Sequence, residues 1–465
     1  MNYQNRKVTD IRLAYIGGGS RGWAWKFMTD LATEPSMSGE VVLYDIDYPA
    51  ARANEIIGNK ITALPEAAGR WHYSVADTLE EAVQGADFVV ISILPGTFDE
   101  MEADVHLPER LGIWQSVGDT AGPGGMIRAL RTIPMYLPIA EAIRDVCPNA
   151  WVINYTKPMA LCIKTLYHVF PRIKAFGCCH EVFSTQELLA RAAGELLGIS
   201  VPQRREIRVN VLGINHFTWF DEASIEGIDL FPVYREFVDR HYQAGWNDPE
   251  RPWQESTFNC AHRVKFDLFR RFEAIAAAGD RHLAEFMPGD EYLRDPETVR
   301  EWKYGLTTVR YRKEDLKNRL EKSRAMVSGE RPVELEPSGE EGILLMKALV
   351  GLDRVISNVN LPNAGQIPNL PLGTIVETNA VFAKDSVKPV LAGPVSEELK
   401  ELMLPHIENQ ELILGAALRC EREPVVRAFL NDPNVRAKCT DETAIRSLVE
   451  DMIAGTMKYL PAGWR

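Results

Sequence analysis

The stretch GCCHE, Gly177 to Glu181, sets two cysteines beside a histidine. A thiolate and an imidazole, joined by oxygen donors, suit a divalent transition metal, and the two alone would suit zinc. Cys179 and His180 fall at the C-terminal end of an expected parallel strand, the edge where α/β sheets place their ligands. Asn154, in NYTKP, stands at the same end of the preceding strand, which Pro158 stops. His216, in GINHF, follows a further strand. A thiol, two imidazoles and an amide could thus converge on one crevice. The bland alternative is that Cys179 is a small buried hydrophobe. Side chains alternate along a strand, so Cys178 points to the opposite face and is assigned to packing.

A second group of residues points to a nucleotide. Gly17, Gly19 and Gly22 form G-x-G-x-x-G after the first expected strand, with Gly18 and Ser20 inside the loop. The first glycine permits the tight turn, the second lets backbone approach a pyrophosphate, and the third packs the helix whose N–H groups face the phosphates. Asp45 closes the next strand, where an acid binds a ribose hydroxyl. An acid there favours NAD over NADP, although Arg21 could serve a phosphate.

These residues need a frame. IRLAYI, GEVVLYDID, ADFVVISIL, AWVINYT and IKAFGCC are short apolar runs separated by helix-length segments such as TIPMYLPIAEAIRDVC. That alternation predicts an α/β fold: a Rossmann-like, doubly wound parallel sheet over residues 1–197. Beyond it, EIRVNVLGINHFTWF reads as strand, YRKEDLKNRLEKSRAM as a charged helix, and NVNLPNAGQIPNLPLG as a Pro/Asn-rich segment. Residues 198–465 are expected to form a closely packed α+β domain. At 465 residues the chain can hold both. A net charge of −13 argues against a nucleic-acid surface. No run reaches the roughly 20 apolar residues of a membrane span. Seven cysteines without framework spacing, and no secretory leader, read as free thiols in the cytoplasm.

The motifs also carry a resemblance. The Gly17–Ser20 loop, SVGDTAGPGG (Ser116 to Gly125), INYTKPMA (Ile153 to Ala160), GCCHE and GINHF resemble the ordered motif set of family 4 of the glycoside hydrolases. These are NAD- and manganese-dependent enzymes, an exception to the usual two-carboxylate glycosidase. The likeness runs on through AAGDRHLAEFMPG and NLPLGTIVETN. Within the family the chain is most similar to the α-galacturonidase branch, through ILPG, DVHLPER, GCCHEVF, INHFTW and GDRHLAEF. The resemblance implies a cycle on a terminal α-galacturonosyl residue. NAD⁺ takes hydride from carbon 3, a base removes the acidified proton at carbon 2, and the aglycone leaves by elimination. Water then adds and the hydride returns.

By that resemblance Cys179 and His216 are the metal ligands, while Asn154 and His180 contact the sugar or support the metal. His180 replaces the Asp that assists the leaving group in phospho-β-glucosidase relatives, and an imidazole can do that proton work. The tyrosine base of phosphoglycosidase relatives has no counterpart between Tyr242 and Tyr292, so Asp280 is the expected base and His282 the runner-up. Asp119 and Arg128 are expected substrate contacts. PGTFDEMEADVHLPE, Pro95 to Glu109, has no Arg or Lys to hold a sugar phosphate. A uronate needs a single positive fork, which Arg281 or Lys157 could provide. α-Glucuronides and neutral α-galactosides stay open as substrates. A hydroxy-acid dehydrogenase and a non-enzymatic NAD sensor are the alternatives from other classes. Relatives form dimers and tetramers, so a homodimer or homotetramer is expected.

Overall fold

A computed structural model describes residues 1–465. Its strands are β1 (Asn2–Gln4), β2 (Lys7–Ile16), β3 (Met37–Tyr44), β4 (Arg70–Val75), β5 (Phe88–Ile91), β6 (Trp151–Asn154), β7 (Lys174–Gly177), β8 (Arg208–Ile214), β9 (Phe217–Ile225), β10 (Ile228–Asp229), β11 (Ile275–Ala276), β12 (Val355–Pro362), β13 (Ile375–Ala383) and β14 (Ser386–Pro389). The main sheet has ten strands, ordered β14-β13-β12-β7-β6-β5-β2-β3-β4, with β1 antiparallel against β2.

Its parallel part, β7-β6-β5-β2-β3-β4, is the doubly wound arrangement in which the order reverses between β2 and β5. Strands covered on both faces should read as continuous apolar runs. FVVI of β5 is buried at every position. One hydrophobic cluster, with Leu13, Phe176 and Cys178, lies on one face of the sheet. Another, with Ile16, Val152 and Cys179, lies on the other. The two neighbouring cysteines therefore face opposite ways.

The second half departs from a simple division. β8, β9, β10 and β11 form a separate antiparallel sheet, as an α+β region should. β12, β13 and β14 instead extend the first sheet, β12 pairing antiparallel with β7 at Asn360 and Gly177. The Pro/Asn-rich segment thus runs beside the strand that ends at the GCCHE stretch. The charged stretch forms the helix Val309–Ser328, begun by Thr308, whose side chain accepts from the Tyr311 amide. No helix is long and apolar enough to cross a membrane.

Candidate active site

The glycine loop sits at the switch point. Gly17 has φ 90°, and a β-carbon on it would lie 2.1 Å from the Ser92 carbonyl oxygen after β5. Only glycine tolerates both the angle and the approach. Gly18 and Gly19 press closely on Leu43 and Asp45. The helix Trp23–Thr33 follows Gly22 with no side-chain cap, which leaves its first amides to a ligand. Asn54, a residue that sequence reasoning missed, ties the loop by donating to the carbonyls of Gly18 and Ser20. Asp45 accepts from the Gly19 and Asp47 amides at 2.8 and 2.9 Å. Arg21 reaches Asp47 at 3.5 Å, so its charge is engaged within the loop.

The second centre is built on strand ends and turns. His216 occupies the two-residue turn between β8 and β9, where Ile214 pairs with Phe217. Its φ of 66° lies in the left-handed region, which costs a residue with a β-carbon about 1–2 kcal/mol. Glycine or asparagine usually fills such a position. Thr120 Oγ1 lies 3.0 Å from its Nδ1, and its ring centroid lies 3.9 Å from that of His282. Burial, and then His282, hold the His216 pKa well below its ordinary value. The neutral imidazole is the form that ligates metals.

Glu181, His216 and His282 each bring a ligand atom within 4.8 Å of the others. Glu181 begins the helix Glu181–Leu197, directly after the cysteine–histidine pair. Burial works against its charge, but His282 and His216 outweigh it and hold the pKa well below the usual carboxylate range. Its Oε1 lies 3.4 Å from His282 Nε2. His282 Nδ1 is buried with no partner. Cys179, two residues before Glu181, is not among these three grouped ligand atoms. Lys157 donates to its Sγ at 3.1 Å and to Asn215 Oδ1 at 3.4 Å. Lys157 therefore ties the thiol to the turn that carries His216. Burial pushes the Cys179 thiol up to about 12, against the pull of the Lys157 ammonium.

Other expected residues fall around this centre. Asp119 accepts from Thr120. Burial would raise its pKa, but Arg128 and His282 hold it down. Arg128 Nε donates to the Lys157 carbonyl. His180 is half-exposed, its side chain at 48%. It pairs with Glu340 at 2.5 Å and lies 6.0 Å from the ring of Trp23 at the start of the nucleotide helix. Burial opposes its charged form, yet Glu340 raises its pKa overall.

Two expected site residues are engaged within the fold. The Asn154 amide is turned inward: its Oδ1 accepts from Tyr136 and the Thr156 amide, and its Nδ2 donates to the Thr156 carbonyl. It shapes the loop that leads to Lys157. Asp280, the expected base, accepts from the amides of Val264 and Lys265 at 3.1 and 3.3 Å. Those amides open the helix Arg263–Phe272. Its carboxylate belongs to a second group, with the partly buried Cys260 and His262, into which Lys265 brings its amine, 3.5 Å from His262 Nδ1.

Sequence reasoning also passed over Glu181, Glu340 and Glu377. Glu377, from β13, accepts from Asn215 and Asn358 at 3.0 and 2.7 Å and so fixes the residue next to His216. Glu181 had a signal, since it sits two places from Cys179. Glu340 and Glu377 had none.

A glycine loop beside a buried donor set fits more than one enzyme class, and the comparisons decide between them. A family 4 glycosyl hydrolase model matches residues 12–195, and the model of that family's C-terminal domain matches residues 211–435. The chain belongs to glycosyl hydrolase family 4. It is 62% identical over 465 residues to an α-galacturonidase of Lachnoclostridium phytofermentans, with both chains covered fully. The crystal structure of the Bacillus subtilis protein LplD is 50% identical, with TM-score 0.91 over 96% of this chain and 100% of that one. A Thermotoga maritima 6-phospho-β-glucosidase, solved with manganese, NAD⁺ and glucose 6-phosphate, shares the fold at 20% identity. Its TM-score is 0.74, over 97% of this chain and 99% of that one. This member of the family is a glycosidase, and its α/β architecture is the family's.

Proposed function

We propose that the protein is an NAD- and manganese-dependent α-galacturonidase that removes terminal α-galacturonosyl residues from small oligogalacturonides. The observation that carries this reading is the full-length 62% identity to an α-galacturonidase. The site is consistent with it. The uncapped helix and close-packed glycines suit a dinucleotide at Gly17, Gly18, Gly19, Ser20 and Gly22, with Asp45 on the ribose. The Glu181 carboxylate and His216 imidazole, whose ligand atoms lie together, suit a divalent transition metal, with the Cys179 thiol two residues from Glu181 in the chain. Cys179 and His216 would hold it, with Glu181 as a third donor.

When bound, NAD supplies a reversible hydride acceptor and the metal a Lewis acid for the sugar oxygens. The chain's own groups do the proton work. Glu181 orients the His282 ring through Nε2, which leaves Nδ1 as the lone pair offered to the carbon 2 proton. His282 thus takes the role expected of Asp280. His180, exposed at the mouth and kept basic by Glu340, carries a proton to the leaving oxygen. Lys157, Arg128 and Asp119 line the pocket around the reacting sugar, and Lys157 meets its carboxylate. Residues 1–197 carry the nucleotide, and residues 198–465 complete the substrate site and the subunit contacts of a homodimer or homotetramer. The enzyme works in the cytoplasm on products of pectin breakdown.

The test is hydrolysis of α-linked digalacturonate in heavy water, with NAD⁺, manganese and a thiol, and with each omitted in turn. Deuterium at carbon 2 of the released non-reducing-end sugar, with activity that needs NAD⁺ and metal, is the expected result. Cleavage without deuterium or without NAD⁺ would mean ordinary acid–base hydrolysis.

A further inference from the structure

Beside the reactive group, two arginines share an aromatic surface, and neither forms an ion pair there, although Glu285, Glu181 and Asp119 act on Arg281 from a distance. Arg281 precedes His282 and is only 6% exposed. Its guanidinium donates to the carbonyls of Gly305 and Ser116 and to the Thr307 hydroxyl, all neutral acceptors. Arg312, on the helix Val309–Ser328, has a buried Nε with no partner. The two guanidinium carbons lie 5.1 and 5.6 Å from the ring of Phe258. Phe258 and Tyr311 meet edge to face at 5.8 Å and are 49% and 40% exposed. Burial, and then the like charge of Arg312, hold the Arg281 pKa below its ordinary value.

Water-facing aromatics beside clustered guanidinium groups make an unusual surface. An aromatic face stacks on the C–H side of a sugar ring. Guanidinium groups stacked on that same ring present a planar fork to a carboxylate. Two positive charges near one another are stabilised by an anion between them. Cys179 and His216, which would hold the reaction, are 4% and 3% exposed, whereas Phe258 and Tyr311 face water beside Arg281, the residue before His282.

We infer that Phe258, Tyr311, Arg281 and Arg312 form the subsite for the residue released from the scissile bond, with Arg312 reading that residue's carboxylate. This rests on the galacturonidase reading and adds the determinant of its preferred leaving group. The subsite selects an oligogalacturonide over an α-galacturonide with an uncharged aglycone.

The holoenzyme, with NAD⁺, manganese and a thiol, is assayed on α-linked digalacturonate and on 4-nitrophenyl α-galacturonide. In Arg312→Ala the ratio of kcat/KM for digalacturonate to that for the nitrophenyl substrate falls by about ten- to a hundredfold, the span of one lost charged hydrogen bond. The loss lies in KM, and Arg312→Lys recovers part of it. A ratio that stays within about twofold of the unmodified enzyme in both variants overturns the subsite. An unmodified enzyme that cleaves neither galacturonide overturns the galacturonidase reading itself, a result distinguishable from the first.

Discussion

At the scale of single residues, the site separates groups of one type by what surrounds them. Asp280 and His282 are two positions apart, yet one accepts from backbone amides and the other has a buried ring nitrogen without a partner. The two roles predict different failures. His282→Gln should lower kcat by about 10²- to 10⁴-fold, the usual yield of a positioned base, with little change in thermal midpoint. Asp280→Ala should leave two buried amides unmatched at the start of the helix Arg263–Phe272 and destabilise the protein by about 1–3 kcal/mol. Thermal unfolding beside carbon 2 deuterium exchange separates the two. An Asp280→Ala protein with a normal midpoint and no exchange would return the base to Asp280.

At the scale of elements, the same contrast explains what is legible in the sequence. The glycine loop and the parallel strands are legible because strand, turn and helix are local, and because doubly buried strands advertise themselves as apolar runs. Cys179 and His216 are legible as a thiol and an imidazole placed just after strands. The direction of a carboxylate is not local, so nothing near Asp280 in the chain tells a base from a helix-start acceptor. Glu377 meets Asn215 across 162 positions, and no spacing announces that. For the same reason the joining of β12–β14 to the first sheet is invisible in the sequence. Long-range polar ties of this kind also hold helices together. Arg131 bonds Asp104 through both terminal nitrogens at 3.1 and 2.5 Å, and reaches the Pro95 carbonyl and the Thr456 hydroxyl. The pair is fully buried and joins the helices Phe98–His106, Gly122–Val146 and Glu442–Thr456. Removing one partner strands the other charge. Asp104→Asn should therefore cost about 3–5 kcal/mol in chemical denaturation, while the double change to Asp104→Leu with Arg131→Met should cost clearly less. Equal losses would show that the ion pair itself, and not the orphaned charge, sets the cost.

At the scale of the whole molecule, buried titratable groups set how stability follows pH. Asp432 caps the helix Pro433–Lys438 by accepting from the Asn434 and Val435 amides, and its other oxygen is buried without a partner. Burial pushes its pKa from 3.8 up to about 7, against those two amide bonds. Between those values the native state keeps a proton that the unfolded chain has lost. The stability this group contributes is therefore full below about pH 4 and disappears as pH rises toward 7. His406, bonded to the Phe286 carbonyl, behaves in the opposite sense. Burial lowers its pKa from 6.5 to about 4, so its contribution is present above 6.5 and is lost as pH falls. Over the shared range the two oppose each other and flatten the curve. Asp432→Asn keeps an oxygen for the two amides and removes only the proton-linked part. Relative to the unmodified protein, the variant should gain stability steadily from pH 4 to 7. The gain is a few kcal/mol at most, since a tenfold change in a proton-binding constant is worth about 1.4 kcal/mol. On its own the variant should weaken as pH falls below 6.5, where His406 is no longer opposed. Denaturant unfolding of both proteins at pH 4.5, 6 and 8 checks this. A stability difference that does not change across that range would mean that Asp432 is ionised in the folded protein throughout.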